Sequence, residues 1–312
     1  MRRVTEPLTK MGAVIQGADG GNRLPLTIRG GQLNGIRYTL PIPSAQVKSA
    51  LLLAALYAKG PTTIIEPIPT RDHTERMLSC LGADLRKEGV EITVAPGGEL
   101  KGKEFTVPGD ISSAAFFLVA AAIVPGSSVT ARSVGLNPTR TGFLDVLRQM
   151  GASITVIARP EGPKQSDIQV WEPLGDVTLK HAPLRAIRMD SQVIPRVIDE
   201  LPILMVAATQ ARGVTLIQGS GELRVKETDR IVSMVTGLSA MGAKIQARGD
   251  EIRIEGPTPL KGSSVSSFND HRTAMALSIA GLAAQGSTTI ESSEWIDISF
   301  PSFVESLDAL RR

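Results

Sequence analysis

Residues 112–130 read SSAAFFLVAAAIVPGSSVT, an apolar stretch that ends near Gly126 and is followed by small and β-branched residues. Apolar side chains occupy nearly every position of the stretch, which predicts a helix buried on all of its faces. Gly126 can adopt the left-handed conformation that ends a helix, and Ser128-Val129-Thr130 has the composition of a strand. The stretch therefore predicts a buried helix that leads directly into a strand.

The same pattern recurs along the chain, which indicates an internal repeat. The further copies of helix, glycine and strand occupy residues 44–65, 199–217 and 270–290. More amphipathic helices alternate with these copies and end in Gly-Ala, at Gly12, Gly82, Gly151 and Gly242. They precede strands of alternating polarity, such as 91–94, 167–170 and 251–254. The repeating unit is helix, strand, helix, strand, strand, about 70 residues long, with extra residues around 173–190 in one copy.

The phase of the repeat predicts both the layering and an incomplete first unit. Helices that are apolar on every face belong inside, whereas strands of alternating polarity can leave one face in water. The chain opens with the second half of a unit, residues 4–29, and closes with a helix at 301–310 where a unit is incomplete. A lone half-unit cannot bury its apolar face, so we expect a missing upstream segment or one supplied by another chain. Fraying of the two ends is the alternative.

Composition favours a soluble protein with small anionic substrates. The chain has 312 residues, 42% of them apolar, which is enough for about two domains. A net charge of +3, without clustered cations, argues against nucleic acid and suits small anions. One cysteine, Cys80, and three histidines argue against a disulfide framework and a metal site. The sequence has no apolar run of about 20 residues and no secretory signal, so we expect no membrane partner and a cytoplasmic location.

Two segments in the first third could bind an anion. Pro41-Ile42-Pro43 leads into Ser44-Ala45-Gln46 at the start of a predicted helix, where free amide groups attract phosphate or carboxylate. A purely structural Ser cap is the alternative. Arg71 precedes another predicted helix and could instead be a surface residue.

Three further segments carry charges at predicted helix starts. Lys226 and Arg230 are four apart, so on one helix they would share a face and repel unless an anion, or Glu227 and Asp229, neutralised them. Asp270 can cap a helix and leave His271 and Arg272 in its first turn, where positive charge is disfavoured without an anionic ligand. The alternatives there are a core histidine and an arginine paired with a carboxylate. Asp199-Glu200 opens an apolar helix, for which capping is the ordinary interpretation.

These motifs resemble those of the 5-enolpyruvylshikimate-3-phosphate (EPSP) synthase family. The similarity is carried by RVKETDR at 224–230, NDHR at 269–272, SAQ at 44–46 and GLNPTR at 135–140. It runs in order from Met1 to Arg312, and the SAQ motif with 70–73 resembles the bacterial class that is often tolerant of glyphosate. The family's opening segment is absent from the sequence.

The resemblance implies the fold, the domains and the chemistry. The fold is α/β (α+β), an inverse α/β barrel-like enolpyruvyl transferase fold built from repeated βαβαββ units with helices enclosed by sheets. The domains are 1–108, which binds shikimate-3-phosphate, and 109–312, which carries the catalytic carboxylates and the phosphoenolpyruvate clamp. The activity is transfer of the enolpyruvyl group from phosphoenolpyruvate to the 5-hydroxyl of shikimate-3-phosphate, in aromatic amino acid biosynthesis. The family needs acid–base groups and cations, with no cofactor or metal.

The resemblance also assigns roles to individual residues. Asp199 corresponds to the acceptor of the hydroxyl proton, and Glu227 to the carboxylate that manages the proton at the methylene carbon. The substrate-binding residues are Ser44, Ala45, Gln46, Arg71, Lys226, Arg230, His271 and Arg272.

Two alternatives to a self-sufficient synthase stay open at this point. The chain could be a substrate-binding fragment or subunit that needs a separate N-terminal polypeptide for activity. It could also be a UDP-N-acetylglucosamine enolpyruvyl transferase, which shares the fold, although the KETDR motif at 226–230 favours the shikimate enzyme.

Overall fold

The computed structural model describes residues 1–158 and 172–310. Within these residues the chain divides into two compact units. Unit 1 is residues 1–107 together with Glu172, and unit 2 is residues 108–158 and 173–310. The domain boundary implied by the resemblance, between residues 108 and 109, lies next to this division.

Unit 1 combines short helices with one larger sheet. Its helices are α1 (Arg2–Lys10), α2 (Ala18–Gly21), α3 (Ala45–Ala55) and α4 (His73–Leu81). Its strands are β1 (Val14–Gly17), β2 (Arg23–Arg29), β3 (Leu33–Asn34), β4 (Arg37–Thr39), β5 (Ala58–Lys59), β6 (Thr62–Ile65), β7 (Leu85–Glu88) and β8 (Glu91–Val94). The larger sheet has the order β4-β6-β8-β7, in which β4 and β6 are parallel and the other pairs antiparallel.

The core of unit 1 lies between this sheet and α3. Leu51 and Leu52 on α3 are fully buried, as are Ile64 on β6 and Ile92 on β8. Burying each such side chain contributes about 1.5–3 kcal/mol relative to leaving it in water. Helix α3 is therefore held firmly against the sheet, which fixes the position of its first turn.

Unit 2 repeats this organisation on a larger scale. Its helices are α5 (Ile111–Ile123), α6 (Gly142–Gln149), α7 (Ile194–Val197), α8 (Leu201–Thr209), α9 (Arg230–Ala240), α10 (His271–Leu282) and α11 (Phe303–Leu310), with 3₁₀ helices at Ser220–Val225 and Ser293–Ile298. Its strands are β9 (Ser128–Gly135), β10 (Ser153–Ala158), β11 (Leu174–Lys180), β12 (Arg188–Met189), β13 (Gly213–Ile217), β14 (Lys244–Arg248), β15 (Glu251–Gly256), β16 (Leu260–Lys261), β17 (Ser264–Ser266), β18 (Ala284–Gln285) and β19 (Thr289–Glu291).

One sheet of unit 2 has the same pairing as the larger sheet of unit 1. Its order is β12-β13-β15-β14, with β12 and β13 parallel and the remaining pairs antiparallel. In chain order, β12, α8, β13, α9, β14 and β15 repeat the succession β4, α3, β6, α4, β7 and β8. The strand–helix–strand–helix–strand–strand order expected from the sequence is therefore present in both units.

Three helices form the centre of unit 2. Helices α5, α8 and α10 pack against one another, and every residue of α8 is buried. This confirms for α5, α8 and α10 the sequence prediction that the uniformly apolar helices lie inside. The prediction holds only in part for α3, which leaves Leu53 50% exposed. The polar residues just before α5, α8 and α10 therefore lie at the starts of these buried helices.

The helix ends follow the local signals, with small differences. Gly126 and Gly213 have φ of 78° and 111°, the left-handed region expected after α5 and α8. Helix α8 begins at Leu201, later than the start expected at Asp199. The extra residues around 173–190 form β11 and β12, of which β11 pairs with both β9 and β10. The strand expected at 167–170 lies outside the described residues.

Candidate active site

Three cationic side chains of unit 2 converge on Asp199, which lies between α7 and α8. Arg230 Nη1 is 3.7 Å from Asp199 Oδ1, and Lys226 Nζ is 3.9 Å from the same oxygen. Arg272 Nη2 is 3.7 Å from Asp199 Oδ2, and Arg272 Nη1 donates a hydrogen bond of 3.1 Å to the backbone oxygen of Asp199. The chain thus brings together residues 199, 226, 230 and 272, which are separated in sequence but were all expected at the site.

Asp270 fixes the direction of Arg230. Its Oδ1 caps α10 by accepting from the Thr273 amide at 2.8 Å, and its Oδ2 accepts from Arg230 Nε at 2.9 Å. Asp270 as a helix cap is therefore confirmed, and the same carboxylate has a second function. Arg230 Nη2 also donates to Glu227 Oε2 at 2.5 Å. The Arg230 side chain is only 1% exposed, so its guanidinium is held in one orientation.

The expected placement of Lys226 and Arg230 on one helix face is wrong. Lys226 has extended backbone and directly follows the 3₁₀ helix at Ser220–Val225, whereas Arg230 is the first residue of α9. The reason is Asp229, whose carboxylate accepts from the amides of Ile231 and Val232 and so caps α9, which begins at Arg230. The two cations nevertheless approach the same carboxylate of Asp199, because the bend between the helices points both of them toward it.

The cluster is partly open to solvent. The side chains of Glu227 and Lys226 are 52% and 27% exposed, and those of Arg272 and Asp199 are 16% and 13% exposed. Small molecules can therefore contact these four groups directly, whereas an anion can meet the buried Arg230 only by displacing Asp199 or Glu227 from it. We name Asp199, Lys226, Glu227, Arg230 and Arg272 the Asp199 cluster.

His271 lies beside the Asp199 cluster in the first turn of α10. Burial lowers the pKa of His271 below its ordinary value, and the positive charge of Arg272 lowers it further. The imidazole is therefore neutral at neutral pH and can donate or accept a hydrogen bond without adding charge.

Glu200 has a different environment from the one expected. It precedes α8 but does not cap that helix with its side chain; its Oε1 accepts a hydrogen bond from the Ser112 hydroxyl. Arg140 Nη2 donates to the same Ser112 oxygen and, at 3.0 Å, to Asp110 Oδ1. Burial raises the pKa of Glu200; the hydrogen bond from Ser112 opposes this effect, and the nearby charge of Asp199 adds to it.

This set of contacts supports the loop that carries Asp199; the sequence predicted no role for Ser112 and only helix capping for Glu200. Ser112 and Glu200 are 88 residues apart, so no local pattern indicates their contact. Arg140 belongs to the GLNPTR motif at 135–140. Its hydrogen bonds to Ser112 and Asp110 give that motif a structural explanation.

The remaining expected residues belong to unit 1. Ser44 is confirmed as the N-cap of α3, because its Oγ accepts from the Val47 amide at 3.4 Å. Ala45 and Gln46 form the first turn of α3, whose initial amides have no partner within the helix. Arg71 lies in the segment just before α4, as expected. Each unit thus holds a separate group of the expected residues.

Comparison with known proteins gives a consistent result. The family model described as EPSP synthase (3-phosphoshikimate 1-carboxyvinyltransferase) matches residues 1–307. Similar proteins include 3-phosphoshikimate 1-carboxyvinyltransferases of Parasynechococcus marenigrum, with 51% identity, and of Bacillus cereus, with 49% identity. Both alignments cover 100% of this chain, and they cover 70% and 71% of the relatives.

Solved structures agree with the family model. EPSP synthase from Acinetobacter baumannii matches with a TM-score of 0.86 and 46% identity, over 99% of this chain and 70% of that chain. The enolpyruvyl transferase NikO from Streptomyces tendae matches with a TM-score of 0.79 at 18% identity, which is a similarity of fold alone. None of these comparisons supports a separate N-terminal polypeptide.

Two further searches concern metals and membranes. Among residues 1–158 and 172–310, no group of three or more His, Cys, Asp or Glu side chains is placed to hold a metal ion. Over the same part of the chain, no helix is both long enough and apolar enough to cross a bilayer.

Proposed function

Because this chain belongs to the EPSP synthase family and is a transferase of that family, we propose that it acts as a 3-phosphoshikimate 1-carboxyvinyltransferase. It transfers the enolpyruvyl group of phosphoenolpyruvate to the 5-hydroxyl of shikimate-3-phosphate and releases phosphate. The observation that carries the proposal is the convergence of Lys226, Arg230 and Arg272 on Asp199. A carboxylate among three cations provides a base together with binding groups for anionic substrates.

The proposed chemistry needs two proton transfers in the addition step. Asp199 accepts the proton of the 5-hydroxyl as its oxygen bonds to the central carbon of phosphoenolpyruvate. Glu227 delivers a proton to the methylene carbon, which becomes a methyl group. In the elimination step the carbon–oxygen bond to phosphate breaks and Glu227 takes a proton back from the methyl group, which restores the carbon–carbon double bond in the enol ether product. The proton held by Asp199 leaves with the phosphate. The exposure of Glu227, 52%, gives it room to meet a substrate carbon.

The cations have the complementary role of binding negative charge. We assign Arg230 and Arg272 to the carboxylate and phosphate of phosphoenolpyruvate, with the neutral His271 beside them, whereas Lys226 contributes positive charge for shikimate-3-phosphate. Arg230 has the most restricted direction, because Asp270 and Glu227 both accept from it. A fixed guanidinium loses little conformational entropy when it binds an anion.

Unit 1 supplies the binding groups for the other substrate in this proposal. The phosphate of shikimate-3-phosphate binds at the start of α3, to Ser44, Ala45 and Gln46, with Arg71 adding positive charge. The amides of Ala45 and Gln46 support this assignment, because the first amides of a helix have no partner within the helix and attract anions.

The finer expectations from the sequence belong to the same proposal. The inverse α/β barrel-like fold is supported by the recurring strand and helix order and by the buried helices. The expected N-terminal polypeptide, the place in aromatic amino acid biosynthesis and the cytoplasmic location stay predictions.

The test is turnover with defined substrates. The chain is incubated with phosphoenolpyruvate and either shikimate-3-phosphate or UDP-N-acetylglucosamine, with and without an N-terminal polypeptide of the family. Phosphate release and the enol ether product are measured. We expect product only from shikimate-3-phosphate; product from the uridine sugar, or from neither acceptor under both conditions, would overturn the proposal. Turnover that is unchanged by the added polypeptide would overturn only the expectation of a two-part enzyme.

A further inference from the structure

We propose that Lys48, Glu66 and Glu75 form a buried positioning cluster that holds the shikimate-3-phosphate-binding residues of unit 1 in place. We name these three residues the Lys48 cluster. The inference rests on the proposed function and extends it to residues that do not themselves touch substrate. It concerns only contacts inside unit 1.

The Lys48 cluster joins three elements through one cation. Lys48 lies in the first turns of α3, just after Ser44, Ala45 and Gln46. Its Nζ is 2.9 Å from Glu66 Oε1, just after β6, and 2.6 Å from Glu75 Oε1, in the first turn of α4. A change in the direction of the Lys48 side chain would therefore be transmitted to both neighbouring elements.

Glu66 extends the connection to the segment that carries Arg71. Its Oε1 accepts from the Thr70 amide at 3.0 Å and also from the Thr70 hydroxyl. Thr70 directly precedes Arg71, so the same carboxylate oxygen fixes Lys48 on one side and the backbone beside Arg71 on the other. A hydroxyl pair of 2.6 Å between Ser49 and Thr74 adds a second link between α3 and α4.

The Lys48 cluster is closed to any ligand. The side chains of Lys48, Glu66 and Glu75 are 0%, 2% and 6% exposed, so a substrate cannot reach them without unfolding the unit. Any effect of these residues on substrate binding must act through the groups that they hold. They are therefore positioning residues.

Stability alone is a weak reason to keep such a cluster. Removing three ionisable groups from water is costly, and apolar residues of similar volume are often as stable or more stable. Burial raises the pKa of Glu75, although the charge of Lys48 opposes this, and a proton on Glu75 leaves one cation facing one carboxylate. What apolar packing cannot supply is direction: the ion pair of Lys48 with Glu66, together with the hydrogen bonds from Thr70 to Glu66, restricts the arrangement of α3 and the Thr70 segment.

The experiment separates positioning from stability by comparing two variants. Lys48→Met removes the cation and leaves Glu66 and Glu75 buried without it, whereas Lys48→Met combined with Glu66→Gln removes the charges of Lys48 and Glu66 and leaves Glu75 as the one ionisable group of the cluster. We expect the single variant to lose stability and the double variant to regain most of it. Both are expected to raise the KM for shikimate-3-phosphate about 10- to 100-fold, with the KM for phosphoenolpyruvate changed less than about twofold, because displacement by about 1 Å has effects of this size.

A matched control addresses general destabilisation of unit 1. Ile92→Ala removes a fully buried side chain from the same core without altering the Lys48 cluster. It should lower the thermal unfolding temperature and leave the KM for shikimate-3-phosphate unchanged in active enzyme well below that temperature. If the single variant does not fold, the double variant and the control carry the test.

Three results would overturn the inference. They are a double variant with a normal KM for shikimate-3-phosphate, an equal rise of both KM values, and an Ile92→Ala enzyme with the same rise. Failure of the proposed function has a different signature, since the wild-type protein would then give no product from shikimate-3-phosphate at all.

Discussion

The Lys48 cluster and the Asp199 cluster are built from the same kinds of side chain and differ in their access to solvent. In unit 1, a lysine and two glutamates are at most 6% exposed. In unit 2, Arg230 is as deeply buried, but Glu227 and Lys226 are 52% and 27% exposed around it. A buried ion pair can therefore orient a helix or strand. A site for anions instead needs cations that are only partly paired, or whose carboxylate partners an anion can displace.

Apart from the 2.5 Å contact between Arg230 and Glu227, distances within the clusters support the same distinction. Lys48 Nζ lies 2.9 and 2.6 Å from its carboxylate oxygens, which is close ion pairing. The three cations of the Asp199 cluster lie 3.7–3.9 Å from the carboxylate oxygens of Asp199. Looser pairs can exchange a carboxylate for a substrate anion at lower cost, because less attraction is given up.

The largest effect is expected from Asp199→Ala in the Asp199 cluster. Loss of the proposed base should lower kcat about 10²- to 10⁴-fold, the usual contribution of positioned acid–base catalysis. Steady-state phosphate release measures this, with the exposed Glu294→Gln variant of unit 2 as a control that keeps the wild-type rate. A wild-type kcat in Asp199→Ala would show that Asp199 is not the base.

The next largest effect is a loss of stability when Arg230, the buried residue of the Asp199 cluster, is replaced. Arg230→Met leaves the fully buried Asp270 without its arginine partner, which should reduce the free energy of unfolding by about 3–5 kcal/mol. Urea unfolding measures the change. Arg253→Met is the matched control: Arg253 is 42% exposed and pairs with Glu255 at the surface, where such a pair contributes about 0–1 kcal/mol. Equal losses in the two variants would show that burial does not decide the value of these pairs.

A smaller effect is expected from Lys226→Met, which removes a partly exposed cation. The KM for shikimate-3-phosphate should rise about 10- to 100-fold, since a charge-assisted hydrogen bond contributes about 1.5–3 kcal/mol, while unfolding by urea stays unchanged. Arg224→Met provides the comparison, because Arg224 is a neighbouring cation that pairs with Asp229 at 2.7 Å. A rise of the same size in Arg224→Met would indicate a general effect of charge rather than binding by Lys226.

The smallest effect is a pH dependence of stability, which we expect from Glu75 in the Lys48 cluster. Burial raises the pKa of Glu75 above its ordinary value of 4.5, so between the unfolded and folded pKa values the folded protein binds more protons than the unfolded chain. Stability must then fall as pH rises through this window. Glu75→Gln should remove that slope and leave the protein at least as stable above the window. Urea unfolding at a series of pH values measures it, and an unchanged slope would show that Glu75 is not the group responsible.

Local rules predicted the parts of the site that depend on neighbouring residues. Ser44 and Asp270 were expected to cap helices and do so, because capping involves residues only a few positions apart. The apolar pattern of α8 predicted its burial, because that pattern also involves only residues close together in sequence. The spacing of Lys226 and Arg230 misled, because Asp229 starts a new helix between them.

Contacts between distant residues could not be predicted in this way. Glu200 is next to Asp199 in sequence, yet its environment is set by Ser112 and, through it, Arg140, which come from other elements. Lys48 is one polar residue in an otherwise apolar stretch of sequence, and nothing local indicates that Glu66 and Glu75 meet it. Such contacts depend on how helices and strands pack, and a repeat pattern gives only their order.

A crystal structure of the protein with shikimate-3-phosphate and phosphoenolpyruvate bound tests the central claim most directly. We predict that the 5-hydroxyl oxygen lies about 2.6–3.2 Å from a carboxylate oxygen of Asp199, the distance that proton transfer requires. Arg230 or Arg272 should contact the carboxylate or phosphate of phosphoenolpyruvate in the same complex. Substrates bound elsewhere, with the Asp199 cluster unchanged and in contact only with water, would contradict the account.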